Sequence, residues 1–355
     1  MENCLIIINR PVHIMYFYGL WDKQIIPHCR SIDFFVNHFF FSYLERFKSM
    51  FSFPNGKIYS FKEPAPSFYA NSRFIRYKNL ILNFITYRRI FHQIQSMDLS
   101  SYDYVLTFAD DMLHFQYLIF NYKKSRPNGA VFLADEGVGL YDRGSIDRES
   151  FLRRIIKKII FRYYQPVPMG CNPLVDTVFA RLPEEISCFN QKKVKKADYY
   201  IRNLEDVEKL IKVFNINTAG RITNLLSMNS KKILFLGFPF EAIGIHYSEI
   251  IKLLCRVKEV EKTDIIIKPH PKESKEVIAL YKKYFDVFPR DFPAELLFSK
   301  VHFKFVFSYC SSALIESKLY GQKTYYFNFF RSSYTNKELL GFFGRLDISE
   351  YYFCD

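Results

Sequence analysis

The sequence is short of negative charge. Its 355 residues carry 36 Asp and Glu against 50 Lys and Arg, a formal net charge of +14. Such a balance favours polyanionic partners: nucleic acid, anionic lipid or phosphorylated substrates. Cysteine is sparse, odd in number at seven, and never spaced as Cys-x-x-Cys. That removes a disulfide framework and a zinc ribbon as the organising principle, and it points to a reducing cytoplasm. No run reaches the roughly 20 apolar residues of a membrane span. The longest candidate, Val12 to Trp21, is too short and carries His13. The opening "CLIIINRP" lacks a basic n-region and a small-residue cleavage site, so it makes a poor signal peptide. GxxxxGK(S/T), HExxH and GxSxG are all missing, as is the Asp-x-Asp of metal-dependent sugar transfer. Asp110 and Asp111 are adjacent instead and read as helix caps. No RNA-recognition or zinc-finger signature is present, so no nucleic acid partner is expected.

What is abundant is apolar. Hydrophobic residues make up 49% of the chain, with 39 Phe and 26 Tyr. Codon bias toward AT-rich triplets accounts for the aromatics more simply than a special role. The length suggests about two domains. Residues 1–215 alternate buried strand-like runs with helical periods: "CLIII", a helix after Pro11, "YDYVLTF", a helix from Asp110, then "AVFLAD". The stretch Phe151 to Tyr164 follows, with Leu and Ile on one helical face and Arg153, Arg154, Lys157, Lys158 and Arg162 on the other. It is either a surface helix packed on the core or a basic amphipathic helix that meets an anionic membrane. Residues 216–230 are polar and read as a linker. From 231 to 355 strands and helices alternate cleanly, beginning with "KKILFLGFP" and "DIIIKPHP". Alternation of this kind gives βαβ units and a parallel sheet. The expected fold is α/β, with two Rossmann-like parallel-sheet domains.

In such sheets ligands bind beyond the carboxyl ends of strands. "DIIIK" delivers Lys268 and then His270, held between Pro269 and Pro271, which restrict its backbone. "FKFVFSY" delivers Cys310, Ser311 and Ser312 at the start of a helix. Serine there is a favoured N-cap, and amides with hydroxyls at a helix start also hold an anion. Lys268 and His270 would add positive charge and donors, giving a cradle for a phosphate. Glu295 stands near the start of a short helix in "DFPAELL". In the first half, "LADEGVGLYDRGS" ends a strand with Asp135 and Glu136, followed by Gly137 and Gly139. A dinucleotide fingerprint fails there, because Asp142 stands where its last glycine would be. The acids fit a solvated turn or a general base, with the glycines letting a bulky substrate approach.

Asp135-Glu136-Gly137, His270-Pro271 and Ser311-Ser312, in this order, resemble the signature set of bacterial sialyltransferases of the GT-B fold. These include the lipooligosaccharide sialyltransferases of glycosyltransferase family 52 and the bacterial polysialyltransferases. The resemblance implies two domains facing a cleft and an inverting transfer from CMP-sialic acid to a surface glycan, without metal or other cofactor. It implies Glu136 as the base, Asp135 as its support, and His270, Ser311 and Ser312 on the donor phosphate. Glu295 would bind the ribose. The spacing leaves single addition and polymerisation both open, and another nucleotide sugar remains an alternative donor.

Overall fold

The computed structural model describes residues 3–63, 73–136, 138–141, 155, 158–159, 161–164, 169–186, 194–201, 203–214, 232–290, 292–309, 311–327 and 337–352. The expected linker, Gly137, Cys310 and half of the stretch 151–164 lie outside them. The chain divides into two compact units, Met1–Tyr200 and Ile201–Asp355.

In the first unit the strands among the described residues are β1 (Asn3–Ile8), β2 (Ser31–Asn37), β3 (Ile58–Phe61), β4 (Tyr104–Thr107), β5 (Ala130–Ala134), β6 (Thr177–Ala180) and β7 (Val194–Lys196). All neighbours pair in parallel, in the order β3-β2-β1-β4-β5-β6-β7. The central strands are continuous apolar runs because both of their faces are covered; Cys4 to Ile8 are all buried. The helix Pro11–Asp22 opens with proline in its first turn, where no amide partner is lost.

In the second unit they are β8 (Ile233–Leu236), β9 (Ile265–Lys268), β10 (Asp286–Val287), β11 (Phe305–Ser308), β12 (Thr324–Tyr326) and β13 (Ser349–Glu350). These are parallel too, ordered β10-β9-β8-β11-β12-β13. The core of this unit is aromatic, with Phe235, Phe240, Phe307 and Phe327 packed ring to ring. In each sheet the strand order reverses once beside the first strand, between β1 and β4 and between β8 and β11. Those crevices are where an open α/β sheet takes its ligand.

The boundary differs from the expected 215. The helix Leu204–Phe214 belongs to the second unit, burying Val207, Leu210 and Ile211 and pairing Glu208 with Lys300 at 2.7 Å. The helix expected from Asp110 begins later, at Leu113, and neither acid caps it. Asp110 turns inward instead, accepting from the amides of Gly170 at 2.6 Å and Asn172 at 3.2 Å. A buried carboxylate binds distant amides in preference to a local cap when the chain returns beside it.

Close packing in the first unit predicts one sensitive glycine. A Cβ on Gly19, in the helix Pro11–Asp22, would meet the Tyr199 carbonyl oxygen at 2.0 Å. That neighbour is backbone and cannot swing away. Gly19→Ala is therefore expected to cost about 1–3 kcal/mol, read as a lowered urea midpoint with unchanged slope.

Candidate functional site

In the first unit the rim is built around one carboxylate. β1 runs into Asn9 and Arg10, and the following helix buries His13 in its first turn. The His13 ring lies flat on Phe108, 4.4 Å between centroids. Its Nδ1 accepts the Asn9 amide at 3.1 Å, so the ring proton sits on Nε2. That nitrogen donates to Glu136 Oε2 at 2.8 Å. Glu136 follows β5 and is buried, and its other oxygen stands 3.6 Å from Nη2 of Arg10, whose side chain is half-exposed. Burial alone would raise the Glu136 pKa, but Arg10 and the His13 hydrogen bond outweigh it and hold the group below the usual carboxylate range. Burial keeps His13 below its ordinary value against the pull of Glu136. The pair is therefore carboxylate and neutral imidazole. Across the crevice Asn9 Nδ2 reaches Met112 Sδ at 3.4 Å, while Asn37, at the end of β2, donates from Nδ2 to Glu63 beyond β3 at 3.0 Å.

Asp135 faces inward. Its Oδ2 accepts Arg181 Nε at 2.9 Å and the Tyr141 hydroxyl, and its carbonyl accepts the Tyr199 hydroxyl at 2.7 Å. The Arg181 guanidinium lies over the rings of Tyr16 and Tyr199, at 5.2 and 5.4 Å. This buried pair anchors the end of β5 and so fixes the backbone from which Glu136 projects. Gly139 lies in the short helix Val138–Tyr141.

In the second unit His270 follows β9, and Ser311 and Ser312 follow β11, with β8 between those strands. Two strand spacings, roughly 10 Å, separate them. The histidine's turn is fixed by a residue the motif does not contain. Glu273 is buried, and its Oε2 accepts the His270 amide at 2.6 Å while its Oε1 accepts the Tyr281 hydroxyl at 3.0 Å. The Glu273 amide closes the turn onto the His270 carbonyl at 3.0 Å. His270 Nδ1 accepts the Lys272 amide at 3.1 Å, which leaves the ring proton on Nε2. Gly237, at the end of β8, is glycine because a Cβ would lie 2.3 Å from Glu273 Oε2 and 2.9 Å from the His270 nitrogen.

Lys268 departs from its expected place beside an anion. It is buried, and its ammonium donates to the carbonyls of Pro269 at 2.7 Å and Arg290 at 2.8 Å. It ties the loop after β9 to the one after β10. Ser312 caps the helix Ala313–Leu319 by position but makes no side-chain cap bond, whereas Ser311 Oγ accepts the Ala313 amide at 3.3 Å. Both serines are half-exposed, and Glu295 is buried at the start of the helix Glu295–Phe298.

Sequence reasoning missed His13, Arg10, Arg181 and Glu273. A signal for His13 existed: "NRPVH" places a histidine just past a strand end and a proline, much as "KPHP" does.

The family described as alpha-2,8-polysialyltransferase matches residues 5–328. The chain belongs to that family. It is a glycosyltransferase, and among glycosyltransferases a sialyltransferase. No curated protein matches it. Solved structures match over most of their length. Arabidopsis thaliana UGT89C1 complexed with UDP gives a TM-score of 0.58 at 10% identity, covering 97% of this chain and 82% of its own. The S. aureus MnaA–UDP co-structure gives 0.53 at 13%, covering 94% and 80%. UDP-GlcNAc 2-epimerase from Neisseria meningitidis bound to UDP-GlcNAc gives 0.52 at 14%, covering 90% and 81%. Identities this low establish the fold, two Rossmann-like units of the GT-B type, as the motifs had led one to expect.

Burial raises the Glu273 pKa to about 7 against the hydrogen bonds that lower it. Between the ordinary glutamate value of about 4.3 and about 7, the folded chain holds a proton the unfolded chain has lost. This group's contribution to stability is complete below that window and is lost as pH rises through it. Glu273→Gln is expected to remove that slope from a plot of unfolding free energy against pH. An unchanged slope would mean that Glu273 is not the group titrating.

Proposed function

We propose that this sialyltransferase moves sialic acid from CMP-sialic acid to a glycan hydroxyl, with inversion, and that Glu136 is its base. The observation that carries the reading is the His13–Glu136 contact: a strand-end carboxylate kept ionised by Arg10 and the His13 hydrogen bond, and aimed by that neutral imidazole. The acceptor oxygen attacks the anomeric carbon and its proton passes to Glu136. The bond from that carbon to the CMP phosphate oxygen breaks, and CMP leaves with the electron pair. His270 Nε2–H and the hydroxyls of Ser311 and Ser312 receive the charge that develops on the phosphate. Glu295 holds the ribose, and Lys268 and Glu273 act on donor binding only through the turn they fix. A monophosphate leaving group needs less counter-charge than a diphosphate, which supports transfer without a metal or other cofactor. The family's description favours repeated addition to a glycan ending in sialic acid over a single transfer to lipooligosaccharide. Contact of the stretch 151–164 with the inner face of a membrane belongs to the same reading.

Glu136→Gln keeps the shape and the His13 contact while removing the base. Turnover should fall at least about a hundredfold, with CMP affinity unchanged in isothermal titration. Near-normal turnover would reassign the base.

The second reading is a different nucleotide sugar, favoured by the UDP in two of the structures of the same fold. Thermal unfolding with CMP, UDP, CDP and GDP, each with and without EDTA, separates the two. A ligand at a hundred times its dissociation constant adds about 2.7 kcal/mol. A rise in midpoint with CMP, indifferent to EDTA, is expected; a rise with UDP alone would displace the sialic acid donor.

A further inference from the structure

Two cysteines that the transfer reaction does not use meet at the amino end of the first sheet. Cys4 lies near the start of β1 and pairs in register with Tyr104 of β4, so the two side chains stand beside each other on one face. Cys29 arrives from the loop between the helix Pro11–Asp22 and β2. That loop is pinned in place. The Tyr104 hydroxyl donates to the Pro27 carbonyl at 2.8 Å, and the Cys29 thiol stands 3.8 Å from the same oxygen. His28 stacks on Trp21 at 4.2 Å between centroids, and its Nε2 donates to the Trp21 carbonyl at 2.8 Å. Held this way, the Cys29 thiol hydrogen-bonds to the Cys4 thiol, and Tyr104 hydrogen-bonds to both.

The two sulfurs are not equivalent. Burial, and after it the Cys29 hydrogen bond, pushes the Cys4 thiol far up. The Cys4 hydrogen bond pulls the Cys29 thiol down against burial, and Tyr104 helps. Cys29 is therefore the first to ionise, while Cys4 keeps its proton. Cys4 is wholly enclosed, whereas Cys29 is 7% exposed and lies between the exposed residues His28 and Arg30. Thiolate is the reactive form of cysteine, and a thiolate at the surface backed by a second thiol in contact is the arrangement thiol–disulfide exchange needs. Packing alone would be served by a small apolar residue at either position.

We propose that Cys4 and Cys29 form a thiol–disulfide exchange site whose co-reactant is a low-molecular-weight disulfide of the glutathione class. The Cys29 thiolate attacks one sulfur of that disulfide, whose S–S bond breaks. One small thiolate leaves, and a mixed disulfide stands on Cys29. Cys4 then gives up its proton and attacks Cys29 Sγ, and the second small thiolate leaves with the electron pair of the bond that breaks. One disulfide is consumed and one is made: the two cysteines are oxidised and the small disulfide is reduced to two thiols. The product closes residues 4–29 into a ring around β1 and the helix Pro11–Asp22, the unit that bears Arg10 and His13. It joins segments already in contact, so it constrains the unfolded chain more than the folded one and stabilises the fold. The proposal does not depend on the transfer reaction being as described above.

The test is to equilibrate the folded full chain in mixtures of reduced and oxidised glutathione, quench with N-ethylmaleimide and map the peptides by mass spectrometry. A linked Cys4–Cys29 peptide should appear as the oxidised share rises and disappear with dithiothreitol. The linked chain should melt at a higher temperature than the reduced one. Cys4→Ser should stop at a glutathione adduct on Cys29, and Cys29→Ser should leave Cys4 unmodified. The wild-type map needs no variant, so a substitution that impairs folding leaves the test intact. No linked peptide in fully oxidised glutathione, a first adduct on Cys4, or a lower melting temperature of the linked chain would each overturn the proposal.

Discussion

A parallel sheet brings the carboxyl ends of all its strands to one rim, and both units are organised by that constraint. Apolar strands stop there, and the chain must turn while still packed against its neighbours. Polar groups caught in those turns are buried and need partners. Glu136 takes His13 and Arg10, and Asp135 takes Arg181 and Tyr141. Lys268 takes two carbonyls, and Glu273 takes the amide of His270. Removing one member of such a pair leaves the other buried and unsatisfied, which costs more than the pair itself contributes. The rims are therefore stiff, and stiffness is what a reacting group needs to stay in place.

The sequence made the strands nearest each switch point legible, because burial on both faces leaves nothing but apolar residues. β1, β4 and β5, like β8, β9 and β11, stand out as runs. β2 does not, since Asp33 interrupts it to accept the Lys57 amide and the Tyr102 hydroxyl. β6, β7 and β13 are too short to carry a period. The helix Arg73–Gln95 has apolar residues on every side, which hides the usual stripe. Motif residues were readable because each stands at the end of a legible strand. Their supports were not, because His13 is 123 residues from Glu136 and Arg181 is 46 from Asp135. Glu273 is the exception: it lies three residues from His270, and a carboxylate at that spacing can close a turn onto the amide before it.

The strongly basic composition is not spread evenly. The rim of the first unit carries acids: Glu136, Glu63 and Asp111 all act on the charge of Arg10. The helices Arg73–Gln95 and Leu113–Ser125 of the same unit hold no carboxylate at all. Net charge thus says little about the local field at Glu136, where Arg10 and His13 decide the charge.

The electrostatics at Glu136 also constrain the order of events. A carboxylate held below its usual pKa is fully ionised but a poor proton acceptor, and a sugar hydroxyl is a poor donor. Efficient general-base catalysis wants the opposite, a base tuned toward the working pH. With Glu136 as the proposed base, proton transfer to it would become favourable only once the acceptor oxygen has begun to bond to the anomeric carbon and turned acidic. In the proposed reaction the early work would then be departure of the phosphate, with positive charge building on the sugar ring. In the proposed reaction, charge on the leaving phosphate would be met by the donors after β9 and β11, so those donors, more than the proposed base, would set the barrier. That is consistent with where the chain spends its rigidity: the histidine turn is fixed by a buried glutamate, a buried lysine and a glycine that leaves no room for slack.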